Sequence, residues 1–177
     1  MSALPDRIWI MGPTGSGKST LAAKLGEALD YPVTHMDDIH WQPNWVEAPR
    51  EETIARVQEK AQAERWVIEG GYTFVRDTLL DRIEQFVWLD IPLWVRLPRL
   101  IRRGVDRSVN KIPCCNGNYE TLRRTFFDRD SLLLFAVQHS RITRRKALAT
   151  LAQAPETPYV RLRKPKAVAA WFEEVTR

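Results

Sequence analysis

"IWIMGPTGSGKST", residues 8–20, is the stretch that decides the fold. Ile8–Met11 is a short apolar run closed by Gly12, which reads as a buried strand. Gly12, Pro13, Thr14, Gly15, Ser16, Gly17, Lys18 and Ser19 then satisfy G-x-x-x-x-G-K-[ST] at every fixed position. Behind them Leu21, Leu25, Ala28 and Leu29 share one face of a helix expected over Lys18–Leu29. A strand, a glycine-rich loop and a helix in this order form a phosphate cradle. Glycine lets backbone N–H groups turn inward around phosphate oxygens, and the helix N-terminus adds about half a positive charge. The segment Gly12–Thr20 is therefore expected to bind the phosphates of ATP. Lys18 would bridge the β- and γ-phosphates, and the Ser19 hydroxyl would ligate Mg²⁺.

Outward from this loop the chain alternates strand and helix. Val33–Met36, Trp66–Glu69, Phe86–Asp90 and Tyr159–Leu162 read as further strands. Helices are expected after Pro49, over Leu93–Arg107, through much of 119–152, and from Pro165 through Trp171 and Phe172. Such alternation predicts an α/β fold with a five-stranded parallel sheet between two layers of helices. In such sheets ligands bind beyond the C-terminal strand ends. The polar clusters fall there: Gly12–Thr20, Asp37–Asp38, Glu69–Tyr72 and Asp90. Glu69 and Asp90 both end apolar strands, and both are candidates to support the metal. Gly70 and Gly71 behind Glu69 allow close backbone approach, and with Tyr72 they are assigned to the acceptor side.

"HMDDIHWQPNW", residues 35–45, concentrates acids and aromatics where a solvated loop rarely spends two Trp. Strand alternation would send Asp37 toward the phosphate loop and Asp38 to the other face. Asp37 is expected to orient or deprotonate an acceptor hydroxyl, with Trp41 and Trp45 walling the pocket. His35 and His40 flank the acids, but the same alternation argues against a metal site there. His139 stands alone and reads as structural.

Charge is divided along the chain. Residues 1–95 carry nine Lys/Arg and fifteen Asp/Glu, a net of −6; residues 96–177 carry eighteen and seven, a net of +11. The basic half is built on Arg96, Arg99, Arg102, Arg103, Arg107, Arg123, Arg124, Arg141, Arg144 and Arg145. Helical spacing places Arg96, Arg99 and Arg103 on one face. Arginine suits bidentate phosphate contact, so two or three of these residues are expected in catalysis. The Pro-, Gly- and Asn-rich "NKIPCCNGN", residues 110–118, reads as the clearest loop, and the region of about 103–125 as a lid.

The remaining composition is ordinary. The chain has 177 residues, 28% charged and 44% hydrophobic, as expected for a folded domain; a single domain over 1–177 is expected. No apolar run approaches the roughly 18 residues of a membrane span, and the start lacks the basic and apolar regions of a signal peptide. A cytoplasmic protein without membrane contact is the expectation. The two cysteines, Cys114 and Cys115, are adjacent, which fits neither a disulfide framework nor a zinc site.

Taken together, "GPTGSGKST", "HMDDIHWQPNW" with "VEAPREE", "WVIEGGYT", "RLIRRGVDR" with "NGNYE", and "VRLRKPKAVAAWF" resemble the P-loop kinases related to adenylate kinase and shikimate kinase. More closely, the sequence is similar to the adenylate-kinase-like group of DNA topology modulation proteins. The resemblance spans residue 7 to about 172. It implies a five-stranded parallel core with a mobile lid and ATP as donor. It implies that Asp37 matches an acid near the acceptor, Glu69 an acid that helps hold Mg²⁺, and Arg103 and Arg107 lid arginines. It places Lys164 beside adenine. Glu stands at 69 where Asp is usual, and Asp106 stands where a further lid arginine is common. The segment after Asp37 is unlike the AMP-binding helices of adenylate kinases, which argues against AMP as acceptor.

Three functions fit these motifs. The first is a phosphotransferase acting on a small molecule, nucleoside or nucleotide. The second is a nucleic-acid-binding ATPase whose basic half grips DNA or RNA. The third is a nucleotide-gated regulatory protein. The kinase is expected, with only weak nucleic-acid binding.

Overall fold

Residues 4–128 and 131–177 are described by a computed structural model. In chain order the elements are β1 (Arg7–Met11), α1 (Lys18–Leu29), β2 (Val33–His35), α2 (Met36–His40), β3 (Trp41–Gln42), β4 (Val46–Glu47), α3 (Arg50–Ala61), β5 (Trp66–Glu69), α4 (Arg76–Leu80), β6 (Gln85–Leu89), α5 (Leu93–Val109), β7 (Pro113–Cys114), β8 (Asn118–Tyr119), α6 (Leu132–Gln138), α7 (Ser140–Gln153), β9 (Tyr159–Leu162) and α8 (Pro165–Val175). Five strands form one sheet in the order β2-β5-β1-β6-β9, all parallel.

The three central strands are apolar on both faces because helices cover both. Trp9, Trp66, Ile68, Phe86 and Trp88 pack on one side with Val57 of α3, Leu79 of α4 and Ala147 of α7. Ile8, Ile10, Val67, Val87 and Leu89 pack on the other with Leu21, Ala22 and Leu25 of α1 and with Trp171 and Phe172 of α8. Each large side chain removed from water contributes about 1.5–3 kcal/mol. Consecutive strand residues thus anchor opposite layers, and the strand ends are held in a fixed row. The candidate site residues sit on that row.

Two expectations need correction. The second strand stops at His35, and Met36 begins a helical turn. Met36 is fully buried, so the chain turns inward there rather than continuing the strand. Asp37 and Asp38 therefore lie on a helix, and strand alternation does not separate them. The segment 110–118 is not a featureless loop. Pro113–Cys114 pairs antiparallel with Asn118–Tyr119, and the turn uses left-handed backbone at Cys115, Asn116 and Gly117 (φ 44°, 61° and 80°). Much of 119–152 is helical as expected, in separate pieces: a π-helical turn over Arg123–Phe127, then α6 and α7, with Tyr119 belonging to β8. A second antiparallel pair, β3 with β4, carries the two tryptophans on or beside it.

Candidate active site

The loop from Gly12 to Ser19 joins β1 to α1 as its spacing predicts. Gly15 (φ 74°) and Gly17 (φ 97°) hold the left-handed conformations that shape it, and the Ser16 N–H closes a turn on the Pro13 carbonyl at 3.1 Å. Several donors here have no protein acceptor. The N-terminus of α1 has no side-chain cap. The Ser16 hydroxyl is buried without a partner. Lys18 Nζ makes one long contact, to the Pro13 carbonyl at 3.5 Å. A buried hydroxyl rarely goes unpaired, and a cluster of unspent donors at a helix N-terminus fits the oxygens of a polyphosphate. Thr20 lies within α1 and is exposed. Lys164 directly follows the last strand as the N-cap of α8 and is also exposed.

One strand over, Glu69 ends β5 almost fully buried. Its Oε1 accepts the Ser19 hydroxyl at 2.9 Å and lies 2.9 Å from His35 Nδ1. Burial raises the Glu69 carboxyl pKa, but the His35 hydrogen bond, the Lys18 charge and the Ser19 hydroxyl outweigh it and hold the group below its ordinary value. The His35 imidazole is pushed up, chiefly by its bond to Glu69. This is an anionic oxygen beside a hydroxyl whose lone pairs remain free. Magnesium takes oxygen ligands and keeps several waters, so Ser19 and Glu69 suit it. Asp90, the other metal candidate, is committed elsewhere: Arg161 Nε donates to its Oδ2 at 3.0 Å, and Arg163 Nε lies 3.7 Å from the same oxygen.

On the far side of Glu69, Asp37 sits in α2. The Tyr72 hydroxyl donates to Asp37 Oδ1 at 2.7 Å. Burial and then the Asp37 charge push the Tyr72 pKa far up, so the phenol stays protonated and serves as a donor. Tyr72 packs against His40 with the rings tilted by 45° (4.4 Å between centroids), and His40 in turn meets Trp41 (5.1 Å). Trp41 meets Trp45 edge to face at 5.7 Å. Gly70 brings the backbone against Met36, and its carbonyl accepts the Trp9 indole N–H at 3.1 Å. Gly71 faces open space. The structure thus brings Lys18, Ser19, Glu69, Tyr72 and Asp37 to three neighbouring strand ends.

The hairpin at 113–119 rests on the tryptophan hairpin. Asn118, nearly buried, accepts the Trp45 N–H at 2.8 Å and donates to the carbonyls of Gln42 (2.9 Å) and Cys115 (2.6 Å). Asn116 donates its backbone N–H to Asp38 Oδ1 and its amide to the Trp41 carbonyl, both at 3.2 Å. Trp45 holds a left-handed backbone (φ 60°), unusual for a bulky residue. Its bonds to Asn118 and to the Tyr119 carbonyl, together with Arg124 4.3 Å above its ring, keep it there. Asp38, expected to point away, therefore contacts the 113–119 hairpin.

Among the arginines the structure separates roles that spacing merged. Arg103 Nη2 lies 3.5 Å and Arg107 Nη1 2.9 Å from the same oxygen of Glu120. Arg96 is not on an exposed face with Arg99: Arg96 is buried, whereas Arg99 and Arg102 are exposed. The buried stripe of α5 is Arg96, Leu100 and Gly104. A four-residue repeat linking one Arg to a Leu and a Gly is a sequence signal for this burial. His35, Arg96, Asn118 and Glu120 were not placed in the site by sequence reasoning.

No family model matches the sequence, and no curated protein matches it. Solved structures do. A gluconokinase from Sinorhizobium meliloti 1021 is 20% identical with a TM-score of 0.53, over 98% of this chain and 94% of that one. A shikimate kinase from Acinetobacter baumannii, solved with shikimate, is 19% identical with a TM-score of 0.56, over 98% and 91%. The shikimate kinase of Aquifex aeolicus is 18% identical with a TM-score of 0.54, over 96% and 95%. Among the described residues no helix is long and apolar enough to cross a membrane. At this identity the likeness is one of architecture: the chain shares the fold of these kinases, a five-stranded parallel sheet flanked by helices.

Proposed function

We propose that this chain is an ATP-dependent phosphotransferase that moves the γ-phosphoryl group to an acceptor hydroxyl or phosphate on a small molecule, nucleoside or nucleotide. One observation carries the reading. Phosphate-loop donors, a buried carboxylate on Ser19 and a second carboxylate on Tyr72 stand at the ends of β1, β5 and β2, which are neighbours in the sheet. Donor and acceptor sites side by side serve transfer by proximity.

In this reading the N–H groups of Gly12–Thr20 and Lys18 bind the phosphates of ATP. Ser19 and Glu69 hold Mg²⁺, which neutralises charge on the transferring oxygens when bound. His35 fixes Glu69 in place. Tyr72 occupies one oxygen of Asp37 and leaves the other for the acceptor. As the bond from the γ-phosphorus to its bridging oxygen breaks and the bond to the acceptor oxygen forms, the acceptor's proton passes to Asp37. Arg103 and Arg107 exchange Glu120 for the γ-phosphoryl oxygens, and ADP leaves with the bridging oxygen. Trp41 and Trp45, with Gly70 and Gly71, bound the acceptor pocket, and Lys164 lies beside adenine. The gluconokinase and shikimate kinase neighbours act on small molecules, which supports an acceptor of that size.

A screen of nucleosides, nucleotides and small polyols with γ-labelled ATP tests this. Label transfer to one compound class, lost in Asp37→Asn, is expected. ATP hydrolysis stimulated by DNA, with transfer to no acceptor, would replace the reading with a nucleic-acid-dependent ATPase.

A further inference from the structure

Arg96 has an environment that the proposed mechanism does not use. It is 1% exposed. Its Nε donates to the Ile91 carbonyl at 2.9 Å, Nη1 to the Thr14 carbonyl at 2.8 Å, and Nη2 to Ser140 Oγ at 2.6 Å. It has no ion-pair partner among the described residues. The nearby acid, Asp90, is held by Arg161 and Arg163. Burial pulls the Arg96 guanidinium pKa down and only the field of Asp90 opposes this. A buried charge without a counter-ion is costly. If Arg96 only joined α5 to α7, an apolar side chain of similar length would serve at lower cost.

What the charge reaches is the phosphate loop. Thr14 lies inside it, and its carbonyl is gripped from the α5 side. One helical turn on, the Leu100 side chain lies against Gly15, where an added Cβ would come within 2.7 Å of it. Two consecutive loop residues are thus braced by one face of α5, and Arg103 and Arg107 lie further along the same helix. In a loop of this kind the N–H groups that face phosphate are fixed by peptide planes whose carbonyls point outward. Holding the Thr14 carbonyl holds the orientation of the Gly15 N–H.

We infer that Arg96 is a positioning residue for nucleotide binding: it sets the phosphate loop through the Thr14 carbonyl, and its buried charge is balanced by the bound polyphosphate. This rests on the phosphate-loop reading above, and it predicts that Arg96 matters to phosphate affinity beyond its part in holding the fold. Ser140 provides the contrast. Its loss removes one Arg96 bond on the side away from the loop and leaves the Thr14 grip.

The test measures MgADP and inorganic tripolyphosphate affinity by calorimetry on folded protein, alongside thermal stability. Arg96→Met is expected to weaken both ligands about 10–100-fold, the scale of a lost charged hydrogen bond. Arg96→Lys, which keeps the charge but not the planar fork, is expected to fall between Met and wild type. Ser140→Ala is expected to lower thermal stability while leaving affinity within about twofold. In wild-type protein the Arg96 Nε–H resonance should shift on saturation with either ligand, a readout that needs no variant to fold. An unmoved resonance, or affinity loss in Ser140→Ala equal to that in Arg96→Lys, refutes the inference while leaving nucleotide binding intact. Wild-type protein that binds neither ligand refutes the inference and the phosphate-loop reading together.

Discussion

Glu69→Gln tests the centre of the site. The substitution keeps the shape of the side chain and removes its charge. In the wild-type protein one carboxylate oxygen takes the Ser19 hydroxyl and His35 at 2.9 Å each, in an almost fully buried position. A hydrogen bond to a charged group contributes about 1.5–3 kcal/mol, and the Gln carbonyl retains a weaker form of both. The expected loss is about 2 kcal/mol at pH 6. The loss depends on pH. His35 is raised in the folded protein, so its share is complete below the ordinary value of 6.5 and disappears as pH rises through the folded value. Glu69 is lowered, so its share is present above the ordinary 4.5 and disappears as pH falls through the folded value. The pair is therefore strongest between about 4.5 and 6.5, and the mutant's deficit should shrink at pH 8. The second readout is the metal. ATP affinity measured with Mg²⁺ and with EDTA should differ in wild type, and the difference should largely vanish in Glu69→Gln. Denaturant titration across pH and calorimetry with and without Mg²⁺ give both numbers. A mutant that keeps the full Mg²⁺ dependence would remove Glu69 from the metal site. A stability deficit independent of pH would show that His35 does not carry charge in the pair.

Three further outcomes are expected. Lys18→Ala should fold normally and lose most of the stabilisation, about 2.7 kcal/mol, that MgATP at 100 times its Kd gives wild type; equal thermal shifts in the two proteins would count against the phosphate-loop assignment. Asp37→Asn should slow transfer to the true acceptor about 10²–10⁴-fold while ATP affinity stays near wild type, and equal loss of both would place Asp37 on the donor side. Glu120→Gln removes the carboxylate on which Arg103 and Arg107 converge, so it should raise affinity for MgATP more than for MgADP and lower the thermal midpoint of the protein; an unchanged MgATP affinity would mean that the two arginines do not compete between Glu120 and phosphate.

Much of the architecture is legible because its signals are local. Ile8–Met11 and Trp66–Glu69 are short apolar runs that end in glycine or acid, which is how a buried parallel strand meets the polar edge of its sheet. The phosphate loop carries its own spacing. What was misread depends on contacts between distant segments. Asp37 follows an apparent strand, yet Met36 is drawn into the core and the chain coils there. Arg96 shares the helical period of Arg99 and Arg103 as well as that of Leu100 and Gly104, and it is Thr14 and Ser140, 82 and 44 residues away, that decide between the two by holding it inward. Asn118 reads as one more loop residue, because its partners Gln42 and Trp45 lie more than seventy positions earlier. For polar residues buried by distant partners, local period alone does not choose the buried face.

That same pattern suggests how the proposed lid would work. Its hairpin is not joined to the rest of the molecule by apolar packing alone. Asn116 and Asn118 tie it to backbone atoms of residues 41–45, and Asn116 also to Asp38. Hydrogen bonds between partly solvated groups net only about 0.5–1.5 kcal/mol each, so such a latch can release in small steps where a buried apolar interface would resist. The arginines obey a similar rule. Glu120 lies within 3.5 Å of Arg103 and 2.9 Å of Arg107, so one carboxylate offsets the mutual repulsion of the two guanidinium groups. In the proposed reading, moving them to a phosphoryl group would exchange one anion for another of higher charge, and the phosphoryl group would have to outcompete that carboxylate.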